Sequence, residues 1–288
     1  MISFNQRREL AREAISKADE VREAYGLIDD EPLSIYELCS SLGLIVRFGE
    51  ELNPEGMYIP GKPSRILITA YRPASRKVYT CAHELGHHVF NHGKRIDHLV
   101  HRPEKTETDP DEFLVESFAG HLLMPTLGIQ YAFTKRGWSV NSATPEQLFT
   151  IACEFGVGYH TILIHCRYAL NLISASQFDV FKKITLPKLQ ANILGGLSGY
   201  SGLVIADAFS QAPLVEVEVG NGILLPLGTT IADDIITRVT DIGQFTLYQA
   251  ARRGIISSDK ADGAVFKTIK VTEYNWQGLD RYRHGIQQ

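Results

Sequence analysis

The sequence predicts an α+β protein, and two kinds of residue pattern support this prediction. Apolar residues spaced three and four apart, as in amphipathic helices, occur at 5–25, 34–42, 75–93 and 111–124. Short runs of Val, Ile and Leu, typical of β-strands, occur at 44–48, 56–59 and 65–69. Strand-like runs return in the last third of the chain. A length of 288 residues favours about two domains.

Local signals define the ends of these helices. The first helix is expected to end at Gly26. Ser34 is expected to cap the second helix, with Glu37 at the capping-box position and Gly43 after its last turn. Pro125 follows the helix at 111–124 and excludes its continuation.

Residues 144–172 have the outline of a helix-turn-helix. One helix begins at residue 144, the glycines at 156 and 158 make a turn, and a second helix is predicted over 159–172. The stretch 144–183 has three acidic and three basic side chains and therefore no net charge. Because a DNA-reading module normally presents a basic face, we favour a packing or protein-binding role over DNA binding.

The last third of the chain is predicted to be a further α+β module. Strands at 214–219 and 223–227 are expected to form a hairpin around the turn at 220–222. Residues 233–253 are predicted to be at least partly helical, and a strand is expected at 264–274. No concentration of catalytic residue types occurs here.

The composition excludes several classes of function. The 29 basic and 33 acidic residues give a net charge of -4 without a long basic run, so no nucleic-acid or membrane surface is indicated. No apolar run approaches the roughly 20 residues that span a bilayer, and residues 1–10 lack a signal-peptide core, which predicts a cytoplasmic protein. The four cysteines have apolar neighbours and are expected to be buried, reduced thiols: Cys39, Cys81, Cys153 and Cys166.

The most informative motif is His83-Glu84-x-x-His87 within the predicted helix 75–93. Residues four apart share one helix face, so the two imidazoles can bind one metal ion. Glu84 lies about 100° around the helix, near enough to act as a base on a water molecule at that metal. On this interpretation the motif supplies two zinc ligands and a general base. The alternative interpretation is that the two histidines are simply exposed to solvent on a helix.

The third ligand is open from spacing alone. A longer three-histidine motif would need a histidine at position 93, but that residue is Gly93. Nearby histidines are possible ligands: His88, His92, His98 and His101. The better candidates are Glu112 and Glu116, which share one face of the next helix and suit a metal ligand plus a carboxylate that orients a ligating histidine. They could equally be two exposed helix glutamates.

These residues resemble the ImmA/IrrE family of zinc metallopeptidases. The resemblance rests on Ala-His-Glu-Leu-Gly-His at 82–87 and on residues 112–125, which end in Leu-Leu-Met-Pro and are similar to the family pattern E-x-x-A-N-x-F-A-x-x-L-L-M-P. It implies Glu112 as the third zinc ligand. Glu116 stands where the family usually has Asn. We therefore expect Glu116 to contact the zinc ligands rather than the zinc ion itself.

The resemblance also implies a domain organisation. It predicts a zincin-like metallopeptidase domain with a small mixed sheet at 1–137 and a helix-turn-helix-like helical segment at 138–183. An α+β regulatory or sensor domain is predicted at 184–288, GAF-like as in the radiation-response branch of the family. An unknown signal ligand is expected to act on this last domain.

The implied function is zinc-dependent, site-specific cleavage of a helix-turn-helix transcriptional repressor, which derepresses stress, mobile-element or defence genes. In this scheme His83, His87 and Glu112 bind Zn²⁺, Glu84 is the general base, and Tyr58 is a candidate for stabilising the oxyanion, unless it is simply a buried structural tyrosine. Two alternatives remain: a non-catalytic zinc-containing regulator that binds a repressor or DNA, and a DNA-binding factor that uses residues 144–172.

Overall fold

The computed structural model describes residues 2–27, 31–50, 55–93, 109–263 and 266–285. The fold is mixed α+β with several small sheets, as predicted. The chain separates into two compact units. The first comprises Met1–Gly128 and Asn275–Arg283, and the second comprises Ile129–Tyr274 and His284–Gln288. The three-part division of the chain stays a prediction.

The α-helices in the described part of the first unit are α1 Phe4–Ala24, α2 Ile35–Ser41, α3 Ala74–Val89 and α4 Pro110–Leu123. Each lies within a few residues of its predicted position. α1 packs along α4, where the buried Arg22 donates a hydrogen bond to the Leu122 carbonyl at 2.8 Å. The prediction of a capping box at α2 is wrong, because the Ser34 side chain makes no capping hydrogen bond.

The sheet of the first unit contains β1 Ile45–Gly49, β2 Gly56–Ile59 and β3 Arg65–Thr69, which confirms the three predicted strands. β1 and β3 are parallel, and β2 pairs antiparallel with β3. β2 therefore forms one edge of the four-stranded sheet. Apolar side chains such as Ile66 and Ile68 alternate into the core, as a half-buried strand requires.

The fourth strand of this sheet comes from the far end of the chain. Gly278–Leu279, called the return strand below, pairs antiparallel with β1 on the side opposite β3. Trp276 packs edge-on against Phe48, with ring centroids 6.1 Å apart. The buried Arg283 guanidinium lies over the rings of Tyr36 and Phe48, 4.3 and 5.1 Å from their centroids. Aromatic packing and the strand pairing hold this segment in the first unit.

The helices that complete the described part of the chain are α5 Thr126–Thr134, α6 Pro145–Glu154, α7 Tyr159–Ile164, α8 Ala175–Phe181 and α9 Leu186–Ile193. A full capping box between Thr144 and Gln147 begins α6. α7 ends earlier than predicted, because residues His165–Ala169 continue as a π-helix.

Within the described residues, no single helix has the length and apolar character needed to cross a bilayer. α6 and the segment Tyr159–Ala169 satisfy that requirement only as a pair, across a bend of 108°.

The second unit contains a buried ion cluster. The Arg136 guanidinium contacts Asp207 through Nε and Nη2, at 2.6 and 2.7 Å, and its Nη1 lies 2.8 Å from Glu154 Oε2. Lys135 Nζ lies 2.5 Å from the other Glu154 oxygen. Two cations thus compensate two buried carboxylates and connect the helices to the strands that follow.

The described residues of the second unit also form these strands: β4 Leu203–Ile205, β5 Leu214–Glu218, β6 Gly222–Pro226, β7 Thr230–Ile231, β8 Ile236–Ile242, β9 Phe245–Ala250, β10 Gly254–Ser257, β11 Ala261–Asp262 and β12 Thr268–Thr272. They form sheets of order β4-β6-β9-β8, β10-β12-β5 and β11-β7. The buried apolar side chains of these strands make a common core.

Two predictions for this region are wrong. β5 and β6 do not form a hairpin, because β5 pairs in parallel with β12 whereas β6 pairs with β4 and β9. The predicted helix at 233–253 is instead the antiparallel pair β8 and β9, joined at Gly243 with a positive φ. Alternating β-branched and aromatic residues favour strands there. β12 corresponds to the strand predicted at 264–274, of which 264–265 lie outside the described residues.

The four cysteines are free thiols, and three of them are buried. The sulfur atoms of Cys39 on α2 and Cys81 on α3 lie 3.7 Å apart. Burial raises the pKa of Cys81 well above its ordinary value, so this thiol stays protonated.

Candidate active site

The site forms where α3 and α4 approach each other at Gly86. A β-carbon at position 86 would lie 2.9 Å from Val115 Cβ and 3.2 Å from Phe118 Cδ1 on α4. Only glycine has the space to let the two helices come this close. The sequence therefore brings the residues of α3 that flank Gly86 directly opposite the first turns of α4.

His83, His87 and Glu112 converge at this crossing. His83 Nε2 lies 3.4 Å from Glu112 Oε2, and His87 Nε2 lies 3.7 Å from Glu112 Oε1. Each residue offers one ligand atom within 4.8 Å of the others. Both histidines are fully buried, whereas the Glu112 side chain is 19% exposed, which leaves a route to solvent. Two imidazole nitrogens and a carboxylate oxygen are a donor set that suits a catalytic metal ion.

The other candidate ligands that the structure describes are not part of this group. Among the residues described here, the three just named form the one group of His, Cys, Asp or Glu side chains close enough to share a metal ion. Glu116 is not part of it, and its backbone carbonyl accepts a hydrogen bond from Tyr79 at 3.4 Å. His98 and His101 lie outside the described residues.

Glu84 is fully buried and faces β2. A β-carbon at Gly56, the first residue of β2, would overlap the Glu84 carboxyl group, lying 3.0 Å from its Cδ and 2.6 Å from Thr80 Cγ2. Gly56 thus makes room for the Glu84 carboxylate. Sequence reasoning missed this residue, although a glycine inside a predicted strand is a known signal of close approach by another group.

Tyr58 and His88 make a second contact between β2 and α3. Tyr58 Oη lies 3.0 Å from His88 Nδ1, and the rings meet edge-on with centroids 5.5 Å apart. Tyr58 is on the same side of β2 as Gly56, and His88 is on the same face of α3 as Glu84, four residues later. The contact of Gly56 with Glu84 and the contact of Tyr58 with His88 together align the strand with the helix. Burial lowers the pKa of His88, so this imidazole is neutral at pH 7.

Comparison with known protein families adds to this geometry. Residues 47–167 match the family model Peptidase_M78, described as the IrrE N-terminal-like domain. These residues form an ImmA/IrrE-type domain. The matched residues of this ImmA/IrrE domain include His83, Glu84, His87 and Glu112, and the family indicates a metallopeptidase. A search of curated proteins finds no match to the chain.

Proposed function

We propose that this chain with an ImmA/IrrE-type domain is a zinc-dependent metallo-endopeptidase in which His83, His87 and Glu112 bind Zn²⁺. The observation that carries the proposal is the convergence of these three side chains beside the fully buried Glu84. Catalytic zinc sites usually have three protein ligands of these types and leave the fourth position open. When bound, zinc would polarise the scissile carbonyl and lower the pKa of water to near neutrality.

Glu84 acts as the general base in this proposal. Its carboxylate accepts a proton from the attacking water while the new C–O bond forms at the scissile carbonyl. The same proton then passes to the leaving nitrogen as the C–N bond breaks. The close contact with Gly56 on β2 supports this role, because it holds the carboxyl group in a defined position.

We propose a helix-turn-helix transcriptional repressor as the protein substrate, by resemblance to the family. Its cleavage would derepress stress, mobile-element or defence genes. β2 pairs with β3 on one side and forms the sheet edge on the other, next to Glu84, which favours an extended substrate segment. Residues 184–288 would receive an unknown signal ligand.

The test uses the purified full chain loaded with zinc, mixed with candidate repressors and followed by mass mapping of the fragments. We expect one defined cut with the wild type. Glu84→Gln should retain zinc and lose a factor of about 10² to 10⁴ in rate. Glu13→Gln, at an exposed position of α1, is the matched control and should keep the wild-type activity. A Glu84→Gln protein that cleaves at the wild-type rate would refute the assignment of the base.

The same experiment separates the proposal from a non-catalytic regulator. Such a regulator would leave every candidate repressor intact, and its effect on repressor-controlled genes in cells would survive Glu84→Gln. Digestion of unfolded casein without a specific cut in any repressor would contradict the proposed substrate class.

A further inference from the structure

We infer that His92 is a positioning residue that holds the His87 imidazole with Nε2 directed at the metal position; the inference rests on the proposed function. The His-Glu-x-x-His motif does not include position 92, and His92 lies beyond the end of α3. The reversal of the chain at the C-terminus of α3 places the His92 side chain against His87.

The end of α3 is a Schellman motif. Asn91 has a positive φ of 56°, the conformation that reverses the chain after a helix. The Asn91 N–H bonds to the His88 carbonyl at 3.1 Å, and the His92 N–H bonds to the His87 carbonyl at 2.9 Å. In this motif the residues at the positions of His87 and His92 usually make an apolar contact. Here that contact is made by two imidazoles.

The two rings are joined by a hydrogen bond. His87 Nδ1 lies 2.9 Å from His92 Nδ1, and the ring of Phe90 stacks on His92 with centroids 6.0 Å apart. The other ring nitrogen of His87 is the one that faces Glu112, at 3.7 Å. Each nitrogen of His87 therefore has its own partner, and the bond to His92 restricts rotation of the ring.

This arrangement determines the tautomers. A metal-binding Nε2 carries no proton, so His87 carries its proton on Nδ1 and donates it to His92 Nδ1. His92 then carries its own proton on Nε2, which lies 3.9 Å from Asp111 Oδ1. That distance exceeds a hydrogen bond, so Asp111 acts on His92 through its charge. Asp111 precedes the proposed ligand Glu112 on α4. The contacts that run from His87 through His92 to Asp111 therefore end on α4, next to the proposed metal site.

Zinc affinity is the direct measure of this role. Outer partners of ligating histidines typically contribute a factor of about 10 to 100 in metal affinity. His92→Phe keeps a ring of similar size but cannot accept the proton of His87, and we expect it to bind zinc about 10- to 100-fold more weakly. His92→Gln retains an acceptor oxygen and should recover most of the loss. His88→Phe removes the neighbouring histidine, which faces Tyr58, and should leave zinc affinity unchanged.

The experiment measures the dissociation constant of Zn²⁺ for the purified full chain by competition with a chromophoric chelator, without substrate. Circular dichroism of the metal-free variants verifies that each is folded. Wild-type affinity in His92→Phe, or equal losses in His92→Phe and His88→Phe, would overturn the inference while leaving the proposed function intact. A wild-type chain that binds no zinc would overturn both.

Discussion

Gly56 lies directly against the carboxyl group of Glu84, and a β-carbon at position 56 would overlap that carboxyl group. Position 56 therefore controls where the proposed base sits, although it carries no functional group itself. Strand β2 and helix α3 are aligned at this point and again at Tyr58 and His88.

The first prediction concerns Gly56→Ala. The added methyl group displaces the Glu84 carboxylate, and an error of about 1 Å in a catalytic group can cost about 10²-fold in rate. We expect kcat/KM for the repressor substrate to fall by about that factor while zinc affinity stays at the wild-type value. Gly93→Ala is the control, because a β-carbon there meets no atom of the described residues within 4 Å. Equal activities in the two variants would contradict the prediction.

The second prediction concerns the helix crossing at Gly86. Gly86→Val would place its β-carbon 2.9 Å from Val115 Cβ, and that atom cannot move without its helix. Overpacking of this kind typically destabilises by about 1 to 3 kcal/mol. We expect a loss of that size in the free energy of unfolding in urea, together with weaker zinc binding, because the ligands come from both helices. Gly93→Val should match the wild type in both measurements.

The third prediction concerns the segment around the return strand. Arg283 is 2% exposed and lies over two aromatic rings, where a desolvated cation contributes about 2 kcal/mol. Arg283→Met keeps most of the volume and should lower the free energy of unfolding by about that amount. Arg281→Met, two residues earlier at an exposed position, should change it by less than about 0.5 kcal/mol. Equal effects of the two substitutions would refute a role for the buried guanidinium.

The fourth prediction concerns His121 and pH. Burial lowers the pKa of His121 below its ordinary value of 6.5, although the Ser117 carbonyl and the Asp19 charge oppose the shift. The unfolded chain therefore takes up this proton first as the pH falls below about 6.5, and the folded state loses stability across that window. His121→Asn should reduce the loss in unfolding free energy between pH 7.5 and pH 5. An unchanged pH dependence would show that His121 contributes nothing to it.

Local sequence signals predicted the helices and strands of the first unit well, because apolar spacing, glycine stops and proline are read from neighbouring residues. The spacing of His83 and His87 already determined that they share a helix face. The position of Glu112 beside them depends on the docking of α3 against α4, which spacing alone left open between two glutamates. The family resemblance pointed to Glu112, and the structure brings Glu112 to the two histidines.

Several of the errors and omissions arise where distant parts of the chain determine the outcome. The turn after β5 is local, but the partner of β5 is β12, about fifty residues later. Gly56 gains its importance only from the packing of β2 on α3, and His92 only from the reversal at Asn91. Local periodicity contains no information about such contacts.

The return strand also affects how this protein is made. Translation proceeds from the N-terminus, so the HExxH helix and Glu112 exist long before Gly278 and Leu279 are synthesised. Until then β1 lacks its antiparallel partner, and the rings of Tyr36 and Phe48 are not covered by Arg283. A chain interrupted anywhere between α4 and residue 277 carries every proposed zinc ligand without the completed sheet. The sheet of the first unit is therefore completed only after the chain has been synthesised through Leu279.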